Sequence, residues 1–379
     1  MKKFIAFLSI ISILLLCLPV TAHAEGPQID AASYLLMEKE TGTVMLAGNE
    51  HEKLEPASVT KIMTLLLVME AIEDGRLSYD DTVTVSAYAA SMGGSQVFLK
   101  EGEQFSVHDM IKCVCVSSAN DAAVALAEAV AGSEEEFVSR MNSRAAELGM
   151  NDTTFMNCTG LPADGHVTSA YDIALMSRQL ILNHPDIRQF TTIWMDTIRD
   201  GAFGLSNTNK LIRFYDGATG LKTGSTDAAL FCISATAERD GMELIAVIMK
   251  APTSAIRFED AKALLNFGFA NYSLTEIYPD AALTTIPVRL GVKSSVQPVI
   301  TSGNKLLVEK TKLSAMEKSV SLADSVDAPV AKGQQLGLLT VTSGDETIAE
   351  IPIVAGEDVA KMSALQLTLK MFRFGMMAS

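Results

Sequence analysis

A chain of 379 residues is long enough for two domains. Its 45 acidic residues outnumber 30 Lys and Arg, and the resulting formal charge of −15 is spread along the chain rather than gathered in one run. That balance excludes nucleic acid as a partner, because neutralising phosphates takes clustered Lys and Arg.

At the amino terminus Lys2 and Lys3 precede an apolar run, residues 4–20, followed by Ala22-His23-Ala24. This predicts a secretory signal over residues 1–24, cleaved after Ala24. The run is slightly long for a signal core, so an uncleaved anchor is the competing reading. Cys17 does not make it a lipoprotein signal, since Leu16 stands where a small residue is required. No later stretch is apolar and long enough to span a bilayer, so the mature chain is expected outside the cytoplasmic membrane.

Tyr34-Leu-Leu-Met37 and Thr43-Val-Met-Leu46, parted by Glu40-Thr-Gly42, predict a β-hairpin. A long helix starts close to Ser58, with Ile62, Leu65, Leu66 and Met69 at helical spacing and Gly75 near its stop. Residues 122–130 form an Ala-rich helix directly after Ser118-Ala-Asn120. Residues 228–237 and 242–249 are apolar strands joined across Arg239-Asp-Gly241, and residues 258–269 read as a helix. Strands at both ends with helices between predict an α+β domain over residues 25–274, its sheet largely antiparallel and flanked by helices. From residue 275 to 358 the pattern changes to strands at 285–292, 306–309, 335–341 and 347–354, punctuated by Gly303, Gly333 and Gly344. A small all-β, sandwich-like domain fits, serving as a stand or spacer. In the last stretch, residues 359–379, Met362, Leu365, Leu369, Phe372 and Met376 fall on one helical face beside a narrow polar strip. This predicts an amphipathic segment on the outer membrane surface, too short and too charged to span. Leu365, Leu367, Leu369 and Met371 also alternate, which leaves a final strand or a packed helix as the rival.

Cys113, Cys115, Cys158 and Cys232 read as reduced, buried thiols. Their spacing resembles no zinc site and the His residues are scattered, so neither metal nor other cofactor is expected.

Three short strings carry the chemistry: Ser58-Val-Thr-Lys61, Ser118-Ala-Asn120 and Lys222-Thr-Gly224, in that order within the first domain. Each alone is weak. Ser302-Gly-Asn-Lys305 also fits Ser-x-x-Lys, yet it reads as a turn before a strand with nothing reactive around it. If Ser58 opens the helix, Lys61 lies one turn on along the same face, with its amine in reach of the hydroxyl. Backbone N–H groups and the positive dipole end there favour an oxyanion. Lys61 serves as a base only when neutral, so it requires burial and a second cation, for which Lys222 is the candidate. Ser118 reads as a proton relay and Asn120 as a holder of Lys61 or of a substrate amide, although both also read as helix caps. Lys222 and Thr223 suit a carboxylate, and Gly224 lets a ligand approach a strand edge. The N–H of Ser225 would complete an oxyanion hole with that of Ser58.

In this order the three motifs resemble the signature of the penicillin-binding proteins and serine β-lactamases. More narrowly, the chain is similar to the low-molecular-mass D-alanyl-D-alanine carboxypeptidases over nearly its whole length. The likeness lies in Pro56-Ala-Ser-Val-Thr-Lys-Ile-Met-Thr64, Ser118-Ala-Asn-Asp-Ala-Ala123, Gly220-Leu-Lys-Thr-Gly-Ser-Thr226 and residues 257–269. Two departures are Ala119, where Gly is frequent, and Ser225, where some relatives have His. The resemblance implies a DD-peptidase/β-lactamase-like fold in which Ser58 attacks the peptide bond between the last two D-alanines of a peptidoglycan stem peptide. It also implies acylation of Ser58 by β-lactam antibiotics, and a carboxylate contact or supporting role for Arg257. A β-lactamase would need a Glu-x-x-Leu-Asn segment between Asn120 and Lys222, and Glu147-Leu-Gly-Met-Asn151 is the nearest string. A catalytically silent wall-binding or penicillin-sensing protein would be expected to lack a catalytic residue or to carry a signalling span.

Overall fold

The structure, a computed structural model, describes residues 26–377, with side-chain surroundings through Met371. The predicted signal at residues 1–24 lies outside the described residues.

The core of the first domain is a sheet of β1 (Ser33–Glu38), β2 (Val44–Gly48), β3 (Ala218–Thr226), β4 (Leu230–Arg239) and β5 (Met242–Ala251). The spatial order is β2-β1-β5-β4-β3, and every neighbouring pair is antiparallel. β5 occupies the centre and is buried along nearly its whole length, which explains its unbroken apolar run. Successive side chains of β1 serve opposite faces. Leu35 and Met37 join the larger core, built with α1 (Lys61–Glu73), α2 (Val107–Ser117), α3 (Asn120–Ala131), α4 (Glu134–Glu147) and α5 (Ala170–Asn183), while Leu36 joins a second core under α6 (Ser254–Asn271). The α+β, antiparallel reading of the sequence therefore stands.

One element differs from its sequence reading in a way that matters. Ser58 does not open the α-helix but sits in a 3₁₀ turn, Ala57–Thr60, that runs into α1 at Lys61. Such tighter turns are common at helix starts, and this one still places Ser58 and Lys61 side by side. α1 itself is buried from Lys61 through Met69 and is apolar on nearly every side, as a helix in the middle of a domain must be.

Beyond the first domain, Tyr272–Glu276 pairs with Lys305–Glu309, so the β-rich part starts at residue 272. Its main sheet runs Pro298–Val299, Glu346–Ala355, Gln335–Ser343, Met316–Leu322, all antiparallel. A smaller sheet joins Ile286–Arg289 to Ser295–Val296 and, in parallel, to Val326–Asp327. Met316–Leu322 went unread in the sequence because it is an edge strand exposed on most positions and lacks an apolar face. The last pairings lie at Val359 and Lys361, past residue 358, and Val359 is buried in the domain core. A helix, α7 (Ala364–Met377), follows. Ser363 opens it through a reciprocal cap: the Gln366 N–H donates to Ser363 Oγ at 3.3 Å and the Ser363 N–H to Gln366 Oε1 at 2.8 Å.

Candidate active site

The turn carrying Ser58 is held between two glycines from distant parts of the chain. A Cβ on Gly160 would lie 1.8 Å from the Ala57 carbonyl oxygen, and Gly160 has φ +83. A Cβ on Gly224 of β3 would lie 2.8 Å from the Pro56 carbonyl oxygen and 2.9 Å from the Ser58 nitrogen. Gly224 is therefore required for the close seating of the Ser58 turn on the strand edge, a constraint beyond the ligand approach read from the sequence.

Lys61 is fully buried, and its Nζ lies 2.9 Å from Ser58 Oγ, 2.5 Å from Asn120 Oδ1 and 2.6 Å from the Thr159 carbonyl oxygen. Burial first and the Lys222 charge second hold its pKa well below the ordinary lysine value. Lys222, on β3, donates to Ser118 Oγ at 2.8 Å and to the Thr223 carbonyl at 2.9 Å. Its pKa falls to about 7, through burial and then the Arg257 charge. Ser118 occupies the left-handed junction between α2 and α3 (φ 60), which turns its hydroxyl toward Lys222. Asn120 holds Lys61 with one end of its amide and donates with the other to the Gly93 carbonyl at 2.7 Å. Of the two roles read for it, the geometry matches the holder of Lys61.

The Thr223 hydroxyl donates to Thr208 Oγ1 at 2.6 Å, and the Ser225 side chain is exposed on the outer strand. Arg257 is buried behind this strand, with Nη1 3.2 Å from the Gly224 carbonyl and 3.3 Å from that of Cys232, between the Phe231 and Phe258 rings. Its contacts are those of a support for the strand. The decoy Ser302 lies elsewhere, lining a cleft of about 620 Å³ with Glu40, Thr41 and Lys305. The four cysteines are free and buried, and burial raises the pKa of each, to about 12 for Cys113 and Cys115, which suppresses thiolate chemistry.

Sequence reasoning missed Thr159, Gly160, Thr208, Asp121 and His166. Asn157-Cys-Thr-Gly160 carries a visible turn signal, but nothing in the sequence ties it to Lys61, 98 positions away. Asp121 accepts from the Val97 and Leu99 N–H groups at 3.1 and 3.0 Å, pinning the segment that supports Asn120. His166 has its pKa lowered to about 4 by burial and joins Thr60 Oγ1 at 2.8 Å. Because its Nδ1 accepts from the Met156 N–H at 3.1 Å, the ring is neutral with the proton on Nε2.

A serine hydroxyl beside one buried amine, with a second buried amine on β3, is an arrangement suited to acyl transfer. The D-alanyl-D-alanine carboxypeptidase family profile matches residues 20–253, and that of the penicillin-binding protein 5 C-terminal domain matches residues 272–361. The chain belongs to the D-alanyl-D-alanine carboxypeptidase family. It is 41% identical over 337 residues to the D-alanyl-D-alanine carboxypeptidase DacF of Bacillus subtilis, covering 88% of this chain and 86% of that one. It is 36% identical to DacC of Escherichia coli over the same shares. Among solved structures, penicillin-binding protein 5 of Haemophilus influenzae superposes with a TM-score of 0.81 at 30% identity, covering 89% of this chain and all of that one. As a member of this family, the protein is a serine-type D-Ala-D-Ala carboxypeptidase, a hydrolase.

Proposed function

We propose that Ser58 is the nucleophile of this carboxypeptidase and Lys61 its general base. The observation that carries this reading is the placement of Lys61 Nζ 2.9 Å from Ser58 Oγ, fully buried and with its pKa well depressed. The Ser58 proton passes to Lys61 as Oγ bonds to the carbonyl carbon of the penultimate D-alanine of a peptidoglycan stem pentapeptide. The Ser58 and Ser225 N–H groups stabilise the oxyanion. The C–N bond then breaks as the proton that Lys61 took from Ser58 passes through Ser118, which Lys222 holds at 2.8 Å, to the nitrogen of the departing D-alanine, leaving Lys61 neutral again. Water hydrolyses the ester and restores Ser58.

Lys222 and Thr223 receive the terminal carboxylate, whose arrival favours the ammonium form of Lys222. Asn120 fixes Lys61, Gly224 seats the Ser58 turn, and Arg257 supports the strand from behind. A β-lactam enters the same reaction but leaves a slowly hydrolysed ester on Ser58. One solved relative, penicillin-binding protein D2 of Listeria monocytogenes, is described in an ampicillin-bound form, at 32% identity and a TM-score of 0.60, covering 65% of this chain. Mass spectrometry after penicillin treatment tests the assignment: the adduct is expected on the peptide containing Ser58, and an adduct elsewhere overturns it.

The enzyme is exported and rests on the outer face of the membrane through α7. Leu365, Leu369 and Met371 are 71%, 57% and 68% exposed, which favours an interfacial helix over one packed on the protein. No helix among the described residues is long and apolar enough to cross a membrane.

A further inference from the structure

The three oxygen neighbours of Lys61 are not equivalent. Asn120 Oδ1 and the Thr159 carbonyl can only accept a hydrogen bond, whereas the Ser58 hydroxyl can also donate. A neutral amine has two N–H groups and one lone pair. With both N–H groups engaged by the acceptor oxygens at 2.5 and 2.6 Å, the lone pair is left facing Ser58. If either acceptor shifted, an N–H could turn toward Ser58 and the base would be close but wrongly oriented.

The Thr159 carbonyl belongs to a turn closed mainly by one side chain, with the Thr159 hydroxyl accepting from the Leu161 N–H at 3.3 Å. Asn157 Oδ1 accepts from the Thr159 N–H at 3.1 Å, the Thr159 hydroxyl at 3.0 Å and the Gly160 N–H at 2.7 Å, and Asn157 Nδ2 donates to the Leu161 carbonyl at 2.9 Å. Neighbouring Cys158 is anchored by Thr64 Oγ1 on its carbonyl at 2.6 Å and by Glu134 on its N–H at 3.0 Å. We propose that Asn157 is a positioning residue of the reaction: by closing the turn at 157–161 it aims the Thr159 carbonyl at Lys61 and fixes the direction of the lone pair. The proposal rests on the reading of Lys61 as the base. The proton balance suits it. When Lys61 takes the Ser58 proton, its three N–H groups point at Asn120, Thr159 and Ser58, so the cage fits both states without rearrangement.

The charged and titratable groups around Lys61 come from several elements: Lys222 on β3 with Arg257 behind it, Asp121 on α3, and Cys158 in the turn with Glu134 of α4 at its N–H. Asn157 adds no charge to this set, so an Asp in its place keeps the acceptor oxygen but loses the donor to the Leu161 carbonyl and introduces one negative charge.

The experiment measures the rate of Ser58 acylation by benzylpenicillin against pH in the full-length protein, with adduct stoichiometry from mass spectrometry. Asn157→Ala is expected to acylate on the order of 100-fold more slowly at every pH while still reaching one adduct per chain, as a misplaced base predicts. Asn157→Asp, which keeps the acceptor oxygen but not the Leu161 bond, is expected to acylate faster than Asn157→Ala on the alkaline side and to fall further behind wild type near neutrality, because the added charge favours protonated Lys61. Asn157→Ala within about two-fold of wild type, or both variants equally slow at all pH, overturns the proposal. Should Asn157→Ala not fold, an Asn157→Asp rate that stays in constant proportion to wild type at every pH does so alone. Lys61→Ala separates the two readings: wild-type acylation by it removes the base assignment and this proposal with it, whereas silent Asn157 variants beside a crippled Lys61→Ala remove the proposal only.

Discussion

The two domains differ most in what they bury. Among the described residues, all the buried polar and charged side chains, from Ser33 to Asp260, lie in the first domain, and they include Lys61, Lys222, Asp121, His166 and Arg257. The β-rich domain buries apolar side chains alone, in two small clusters around Ile286 and Val359 and around Leu339 and Ile353. A buried charge is costly unless partnered, so a domain that keeps several has arranged hydrogen bonds for each. Lys61 illustrates the use of that arrangement: in water it would be protonated and useless as a base. The β-rich domain, with no buried charge among the described residues, has no such group to hold.

The sharpest way to break this contrast is at the two residues proposed to do the chemistry. Ser58→Ala is expected to form no penicillin adduct. Lys61→Ala is expected to acylate roughly 1,000-fold or more slowly, since loss of a general base typically costs two to four orders of magnitude. Full labelling of Ser58→Ala would place the nucleophile elsewhere, and wild-type acylation by Lys61→Ala would mean that the buried amine is only structural.

Next in size is a change that touches no reacting group. In Gly160→Ala the added methyl meets the Ala57 carbonyl at 1.8 Å, so the Ser58 turn must shift. The expected result is an acylation rate reduced on the order of 100-fold, with stability lowered by about 1–3 kcal/mol. Gly303→Ala in the β-rich domain meets nothing within 4 Å, so any cost comes from its φ of +76 alone and acylation is expected to stay unchanged. Equal acylation losses at both glycines would dissolve the contrast.

Much of this was legible in the sequence, and for a physical reason. Ser58 and Lys61 are local to one turn, and β4 and β5 are joined by a tight hairpin, so short-range periodicity and turn chemistry report them. The family likeness of the three motifs then indicated which distant strings converge. Illegible were contacts that depend on a backbone atom of an ordinary loop: the Thr159 carbonyl on Lys61, the Gly160 approach to Ala57 and the Gly93 carbonyl on Asn120. Backbone groups leave no residue-type signature. The parallel pairing of Ile286–Arg289 with Val326–Asp327 was hidden likewise, because such short strands carry too little pattern.

A smaller effect tests carboxylate recognition at Lys222 and Thr223. Amidating the terminal carboxylate of a diacetylated Lys-D-Ala-D-Ala tripeptide should cut wild-type kcat/KM by roughly 10- to 100-fold, the range for one charge-assisted hydrogen bond. In Lys222→Ala the same amidation should matter much less. Equal sensitivity in both proteins would shift recognition to another cation.

Acid stability provides a test confined to the polar core. His166 has a folded pKa of about 4 against an ordinary value of 6.5, so between these values the unfolded chain binds more protons and stability falls as pH falls. Protonation would also break the Met156 contact, because Nδ1 could no longer accept. Urea unfolding at pH 7 and pH 4.5 should show wild type losing about 2 kcal/mol more than His166→Gln. Parallel losses in the two proteins would mean that the ring is not held neutral.

The smallest expected change in catalysis comes from the far end of the chain, and the structure decides where to cut. Truncation after Asp358 would remove Val359, which is buried in the domain core and pairs with Val330, and Lys361, which pairs with Gly291. Such a protein would test folding rather than attachment. Ending the chain at Ser363 keeps these pairings, including the Met362 N–H bond to the Leu290 carbonyl at 2.8 Å, and deletes only α7. Since no described α7 side chain is among the buried residues of the catalytic domain's core, turnover of the soluble tripeptide should stay within about two-fold of wild type. If α7 is the membrane attachment proposed above, cell fractionation should move the truncated enzyme from the membrane to the soluble extracytoplasmic fraction. Retention on the membrane with full activity would place the attachment outside α7, while lost activity would show that the β-rich domain and its tail do more than carry the enzyme.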